Sequence, residues 1–168
     1  MPPSSLRRLV ASICALSAVA PLAFVAAPGA LAAAVPALDG TRAPQTLLAD
    51  GETQVVVALF SLPGCPFCEV VRRNYLRHLE GSVRGVRVAE YGIADERMFK
   101  QAATSADTPQ SPAALAKSLG IRIAPTVVFF GEANRELAER LIGYNSPDFY
   151  GGYLDARIVG ALERTEGR

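Results

Sequence analysis

The feature that most constrains the fold of this chain is a pair of cysteines, Cys65 and Cys68, separated by two residues. An apolar run at residues 55–60 comes before the pair, and a helix-like run at residues 69–79 follows it. Pro66 suits the first position of a helix, because proline lacks the N–H group that would have no partner there. The pattern therefore predicts a buried strand, a tight turn, and a helix that begins at the first cysteine.

A thiol at the start of a helix is more acidic than an ordinary thiol. Free cysteine has a pKa of about 8.5, and a helix N-terminus can lower it to between about 3.5 and 7.5. The N–H groups of the first turn and the helix dipole both favour the anion. In this arrangement Cys65 is the exposed attacking sulfur, and Cys68 lies one turn into the helix, where it can resolve a mixed disulfide. The sequence therefore predicts thiol–disulfide exchange.

Residues 1–34 have the layout of a secretory signal peptide, with a short basic region and then a long apolar run over residues 9–27. Small residues suited to cleavage follow at Ala30-Leu31-Ala32 and Ala32-Ala33-Ala34. The length of the apolar run is compatible with an uncleaved membrane anchor, but Pro21 and the high alanine content weigh against that alternative. We therefore expect an exported, periplasmic protein.

Loss of this leader would leave Cys65 and Cys68 as the two cysteines of the mature chain. It would also change the formal charge from +1 to −1, with 15 basic and 16 acidic residues remaining. A charge so close to zero does not suggest nucleic acid or an anionic membrane surface as a partner. A purely structural disulfide is the competing interpretation in an oxidising compartment. It is a weak one, because closing so short a loop removes little chain entropy.

The 168 residues are enough for one domain, which we place at residues 54–168. Residues 35–53 are interpreted as a linker and loosely attached lead-in, with a short strand or helical turn near residues 46–49. The predicted strands are 54–60, 86–91, 127–130 and 136–143. The predicted helices are 66–80, 95–103, 111–119 and 149–163.

The order of these elements resembles that of the thioredoxin superfamily over roughly residues 50–165. Two motifs carry the resemblance: Cys65-Pro66-Phe67-Cys68 after a buried strand, and Ala124-Pro125-Thr126 before a later one. The resemblance implies an α/β, thioredoxin-like fold with a central mixed sheet of about four to five strands flanked by helices. It also implies a redox-active disulfide between the two cysteines, supported by a turn that includes Gly64, Pro66 and Phe67.

The same resemblance assigns roles to the second motif. In the family, the proline that matches Pro125 is cis and lies against the reactive disulfide, where it would exclude a metal from the thiols. Ala124 would offer its backbone to an incoming substrate strand. The alternative is an ordinary trans proline at the start of a strand, since cis bonds are only about 5–6% of X–Pro bonds.

Within the superfamily, the second half of the chain is most similar to exported bacterial thioredoxin-like proteins, including those encoded with sulfur-oxidation systems. The matching positions are Leu115-Ala116, Leu119-Gly120-Ile121, Pro125-Thr126, Phe129-Phe130, Leu141-Ile142-Gly143-Tyr144 and Phe149.

The chain also departs from cytosolic thioredoxins. Those proteins have a tryptophan before the first cysteine and Gly-Pro between the two, whereas Gly64 precedes Cys65 here and the chain has no tryptophan. They carry a buried aspartate six residues before the first cysteine, and Leu59 occupies that place. The Pro-Phe pair resembles the Pro-Tyr of glutaredoxins, but the sequence does not establish a glutathione site.

These observations favour an exported oxidoreductase that reduces disulfides or oxidised thiols of periplasmic proteins and acts as a monomer. A membrane-bound thiol protein would then exchange electrons with it. Two alternatives stay open: an oxidant that donates its disulfide to exported proteins, and a non-catalytic thioredoxin-fold binding module. An isomerase is less favoured, because residues 35–53 are too short for a dimerisation domain. We expect no cofactor and no metal, since two cysteines and His78 fall short of four zinc ligands.

Overall fold

The computed structural model describes residues 38–100 and 109–167. The predicted signal peptide therefore lies outside the described residues. Within the two described ranges, none of the helices combines the length and the apolar composition that crossing a bilayer requires.

Four strands and four α-helices make up the described chain. The strands are β1 (Val55–Ser61), β2 (Val86–Gly92), β3 (Thr126–Phe130) and β4 (Glu136–Ile142). The α-helices are α1 (Pro44–Leu48), α2 (Pro66–Val71), α3 (Pro112–Ser118) and α4 (Pro147–Glu166). A π-helical segment, Arg72–Leu76, continues α2, and a 3-10 turn, Glu132–Asn134, joins β3 to β4.

The strands form one mixed sheet in the order β2-β1-β3-β4. Strand β1 pairs in parallel with β2 and antiparallel with β3, and β3 pairs antiparallel with β4. Every residue of β1 is buried, as its uninterrupted apolar sequence predicts for a strand covered on both faces. The predicted mixed sheet flanked by helices is confirmed, with four strands.

A separate apolar core covers each face of the sheet. On one face, alternate residues of β1 that include Val57 and Leu59 pack with Val71 and Leu76, and with the buried side of α4. On the other face, the remaining residues of β1, such as Phe60, pack with α1 and α3. The period of two along the strand therefore sends successive side chains into different cores.

Two predicted helices differ from those observed. The helix predicted over 66–80 is α-helical only to Val71. It continues as a π-helix, in which the N–H of Arg77 bonds to the carbonyl of Arg72 in the i to i+5 pattern. The prediction of a helix starting at Asp95 is wrong for residues 95–100, which form no helix. Asp95 instead accepts hydrogen bonds from the backbone and guanidinium of Arg97, while its carbonyl binds the N–H of Ala113. Residues 101–108 of that prediction lie outside the described part of the chain.

The described part of the lead-in lies against the sheet. Helix α1 contributes Leu47 to the core, and Ala43 beside it is also buried. The Tyr91 hydroxyl donates a hydrogen bond to the carbonyl of Arg42 at 2.8 Å. Gly40 lies so close to β2 that a β-carbon at this position would be 1.7 Å from the carbonyl oxygen of Glu90.

This close approach predicts that Gly40→Ala destabilises the domain by about 1–3 kcal/mol, because the backbone of Glu90 cannot give way and the lead-in must move. Urea unfolding measures the loss. Gly152→Ala is the matched control: it lies within α4, its β-carbon would have no neighbour within 4 Å, and alanine favours helix by up to about 1 kcal/mol. Equal stability of the Gly40→Ala variant and the unmodified protein would contradict the prediction.

Candidate functional site

The two cysteines lie at the junction of β1 and α2. A tight turn leaves β1, with the N–H of Cys65 bonded to the carbonyl of Leu62 at 3.2 Å. Gly64 has a φ of 70°, a left-handed conformation that glycine adopts without steric penalty. Cys65 and Cys68 form a disulfide, with a Cα–Cα distance of 5.3 Å. The strand, the turn and the helix of the prediction are thus present in this order.

Cys65 is the N-cap of α2. Its sulfur accepts a hydrogen bond from the backbone N–H of Cys68 at 3.1 Å, and Pro66 occupies the first helical position. Cys65 is half-buried, whereas Cys68 has no exposed surface. The N–H that points at the Cys65 sulfur is the kind of donor that stabilises a thiolate after reduction. The partly exposed Cys65 can therefore meet a substrate, whereas the buried Cys68 is in contact with its disulfide partner.

The second predicted motif lies at the same end of the sheet. The Ala124–Pro125 peptide bond is cis, as the resemblance implies. Phe60, next to the last residue of β1, pairs with Thr126, so Pro125 lies beside the point where the chain leaves β1. The carbonyl of Pro125 accepts a hydrogen bond of 2.7 Å from the N–H of Gly143, which attaches this segment to the end of β4. Pro125 is buried and Ala124 is half-buried.

Aromatic rings connect the cysteine turn to the last helix. Phe67, between the two cysteines, is 56% exposed, and its ring centroid lies 5.9 Å from that of Tyr144. Tyr144 in turn contacts Tyr150 of α4 at 5.1 Å and shares a hydrogen bond of 3.1 Å with the hydroxyl of Tyr75. That hydrogen bond raises the pKa of Tyr144. The exposed face of Phe67 remains available for contact with a substrate protein.

A groove of about 1120 Å³ opens beside Cys65, on the side of β2. Its floor includes Glu69 and Arg72 from the helix after the cysteines and Glu90 from β2. The opposite wall is formed by parts of the lead-in and of the chain after β2, which are joined by a 2.7 Å hydrogen bond from the N–H of Lys100 to the carbonyl of Thr41. An extended segment next to a substrate sulfur could lie in this groove.

An ionic cluster lies on the groove floor. The Arg72 Nε donates to Glu90 at 2.6 Å, a second guanidinium nitrogen contacts the same carboxylate, and a third contacts Glu69. The hydrogen bond and the charge of Glu90 raise the pKa of Arg72. A hydrogen bond from Arg73 and the charge of Arg72 lower the pKa of Glu69. The cluster thus favours the charged forms of Arg72 and Glu69.

The sequence prediction did not include Arg72, Glu90 or the aromatic partner Tyr144. One signal was available for Glu90: it continues the alternation of Val86 and Val88, which both lie in the core under α2. A carboxylate on such an inward-facing row needs a buried partner. The sequence does not identify Arg72 as that partner, because the contact forms only once β2 pairs with β1 in the folded chain.

The described residues contain no group of three or more histidine, cysteine or acidic side chains placed to hold a metal ion. His78 is exposed in the turn that follows the π-helical segment.

Comparison with known proteins gives one family match. A family model described as a thioredoxin-like domain matches residues 42–158, more than half of the chain. No curated protein matches the chain.

Solved thioredoxin structures are similar to this chain at low sequence identity. The short form of thioredoxin f from spinach chloroplast is 19% identical, with a TM-score of 0.49, over 72% of this chain and 88% of that protein. Thioredoxin f2 from Chlamydomonas reinhardtii is 16% identical, with a TM-score of 0.49, over 72% and 95%. A thioredoxin from Fasciola hepatica is 18% identical, with a TM-score of 0.47, over 68% and 86%.

Proposed function

The chain belongs to the thioredoxin-like domain family, and from this premise we propose that it is an exported thiol–disulfide oxidoreductase. The observation that carries the proposal is the position of Cys65: half-buried, at the N-cap of α2, and bonded to the buried Cys68. A single disulfide between a helix N-cap and the next turn closes too short a loop to stabilise the fold appreciably. Thiol–disulfide exchange therefore explains this bond better than stabilisation of the fold does.

The proposed reaction begins with the reduced protein. The Cys65 thiolate attacks one sulfur of a substrate disulfide, a mixed disulfide forms, and the second substrate sulfur leaves as a thiolate that takes up a proton. Cys68 then loses its proton and attacks the Cys65 sulfur. The substrate is released with both sulfur atoms reduced, and the Cys65–Cys68 disulfide is formed. Two electrons pass from the protein to the substrate.

We assign the preferred direction as reduction of periplasmic protein disulfides or oxidised thiols, with a membrane-bound thiol protein as the electron donor. The leader sequence at residues 1–34 supports export, and an exported reductant needs electrons from across the membrane. Ala124 and Pro125 would receive the substrate backbone beside the disulfide. The exposed Phe67 and the groove beside Cys65 supply contact surface for a protein substrate.

An oxidant is the second candidate, because the sulfur of Cys65 already accepts the N–H of Cys68 and strong oxidants hold the first cysteine as an anion. Equilibration of the disulfide with glutathione redox buffers distinguishes the two directions. A potential near −270 mV, about that of thioredoxin, is the expected result for a reductant, and a value near −120 mV would assign the protein as an oxidant.

The non-catalytic alternative makes a different prediction. If the protein is a binding module, it will not catalyse insulin reduction by dithiothreitol, and after reduction Cys65 will resist alkylation at pH 7. We expect catalysis of insulin reduction and rapid alkylation of Cys65 but not of the buried Cys68. The double variant Cys65→Ser/Cys68→Ser is the matched control for both assays.

A further inference from the structure

The ion pair of Arg72 and Glu90 is the most deeply buried pair of opposite charges among the described residues. The exposed fractions of the two side chains are 15% and 7%, whereas each of the other ion pairs of the described chain has at least one side chain that is 29% or more exposed. Burying two charges has a large desolvation penalty, which apolar residues of the same size would avoid. Stabilisation of the fold therefore does not by itself explain a pair of charges in this position.

The register of the sheet places Glu90 on the face of the sheet that the helix after the cysteines covers. Glu90 is the pairing partner of Leu59, and partners in a parallel pair share a face of the sheet. Leu59 packs with Val71 on this face. Glu90 therefore places a carboxylate on the side of the sheet that faces the helix after the cysteines.

Arg72 connects this carboxylate to the helix that begins at Cys65, since its guanidinium contacts both Glu90 and Glu69. Long side chains on a helix point back toward its N-terminus, and the bond from Arg72 to Glu69 shows this direction. The guanidinium therefore extends at least as far as the carboxylate of Glu69, four residues after Cys65. Cys65, Arg72 and Glu90 line the same groove.

We propose that Arg72 and Glu90 set the equilibrium between the disulfide and the dithiol, by fixing how much positive charge faces the sulfur of Cys65. Both act as positioning residues, because the reacting sulfur belongs to Cys65. The inference rests on the proposed function, since it concerns the redox couple of the same two cysteines.

The titration measures the reduction of the Cys65–Cys68 disulfide by glutathione. Two glutathione molecules are oxidised to one glutathione disulfide, the Cys65–Cys68 bond breaks, and two electrons enter the protein. In the proposed mechanism the reduced Cys65 is a thiolate, so Cys68 takes up one of the two glutathione protons and the other proton is released. Any group that stabilises the Cys65 thiolate therefore shifts this equilibrium toward the reduced protein.

The two members of the pair should act with opposite sign. In Glu90→Gln, the positive charge of Arg72 loses one of its two carboxylate partners, so the thiolate is stabilised and the reduced form is favoured. In Arg72→Gln, the carboxylates of Glu69 and Glu90 are left without the guanidinium, so the thiolate is disfavoured. The remaining charged groups that line the groove are unchanged in both variants; they are Asp39, Asp95, Arg97 and Lys100.

The test is equilibration of each full-length variant with glutathione redox buffers at pH 7. We expect the equilibrium constant to move about threefold to tenfold toward the dithiol in Glu90→Gln and by a similar factor toward the disulfide in Arg72→Gln. A tenfold change corresponds to about 30 mV for two electrons. Repeating the titration at falling pH should bring the variants together, since Cys65 then binds a proton in all of them and no longer carries the charge.

Three further variants separate electrostatics from folding. Arg72→Lys keeps the charge and should restore most of the unmodified equilibrium. Glu136→Gln removes a half-buried carboxylate from the ion pair with Arg140 on the opposite edge strand, and should change nothing. Glu69→Gln removes the charge of a more exposed partner of Arg72. It should shift the equilibrium in the same direction as Glu90→Gln, so the direction can still be tested if Glu90→Gln fails to fold.

The outcomes are distinct. Opposite shifts in Glu90→Gln and Arg72→Gln, with Glu136→Gln unchanged, support the inference. If the unmodified protein titrates as a reversible couple but the two variants shift in the same direction, or by less than twofold, the inference is overturned. If the unmodified protein does not equilibrate with glutathione at all, the proposed function itself fails.

Discussion

Replacing Cys65 by serine is expected to reduce thiol–disulfide exchange to less than about one-thousandth of the unmodified rate, because a serine hydroxyl is not ionised at neutral pH and cannot attack a disulfide. Cys65 is the half-buried sulfur at the helix N-cap, and no other described group can replace it. Insulin reduction followed by turbidity measures the loss.

Replacing Cys68 is expected to have a different consequence. The Cys68→Ser variant still presents the Cys65 thiolate, so it attacks a substrate disulfide but cannot release the product. Mixed disulfides should therefore accumulate with exported proteins, appear on non-reducing gels, and disappear after treatment with dithiothreitol. The double variant Cys65→Ser/Cys68→Ser should capture nothing. If Cys68→Ser forms no adducts with an exported fraction while Cys65→Ser does, the two roles are reversed.

The second large effect is expected for Leu59→Asp, which places a carboxyl group at the position where thioredoxins have one. Leu59 has no exposed surface, and its pairing partner on β2 already supplies the carboxylate of Glu90. We expect a loss of about 3–5 kcal/mol in the free energy of unfolding at pH 8, the range for an uncompensated charge buried in a protein. Urea unfolding of the oxidised protein measures it.

The dependence on pH identifies the cause of this loss. Burial and the nearby Glu90 should raise the pKa of the introduced carboxyl group in the folded state above its unfolded value of about 3.9. The charge penalty is then absent below about pH 3.9, grows as pH rises toward the folded-state pKa, and is constant above it. Leu59→Asn, which has nearly the same volume and no charge, should show a loss that hardly changes between pH 5 and pH 8. Equal losses for both variants at both pH values would mean that Arg72 accommodates a second carboxylate.

The sequence was sufficient for the parts of the fold that depend on neighbouring residues. The uninterrupted valines of β1 predicted a strand buried on both faces, and Pro66 predicted a helix that begins at Cys65. Ser111 caps α3 through the N–H of Ala114, as its position before a proline indicates. The cis bond at Pro125 followed from a resemblance and not from local chemistry.

What the sequence could not supply depends on contacts between distant segments. Asp95 was predicted to cap a helix, but its carbonyl binds the N–H of Ala113, a contact across 18 residues that competes with helix formation. Arg72 and Glu90 are also 18 residues apart, and their pairing requires the parallel register of β1 and β2. The change to a π-helix at Arg72 likewise has no distinct local signal, since the residues around it are ordinary helix formers.

The burial of β1 limits where the chain can rearrange beside the cysteines. A fully covered central strand, bonded on both sides, releases its amide hydrogens only when the whole domain opens. The turn that carries Cys65 therefore follows a strand whose amide hydrogens we expect to exchange slowly. On its other side lies a helix of only six residues that passes into wider turns at Arg72. We therefore expect any rearrangement between the oxidised and reduced states to occur on the helical side of the disulfide, with little change in β1.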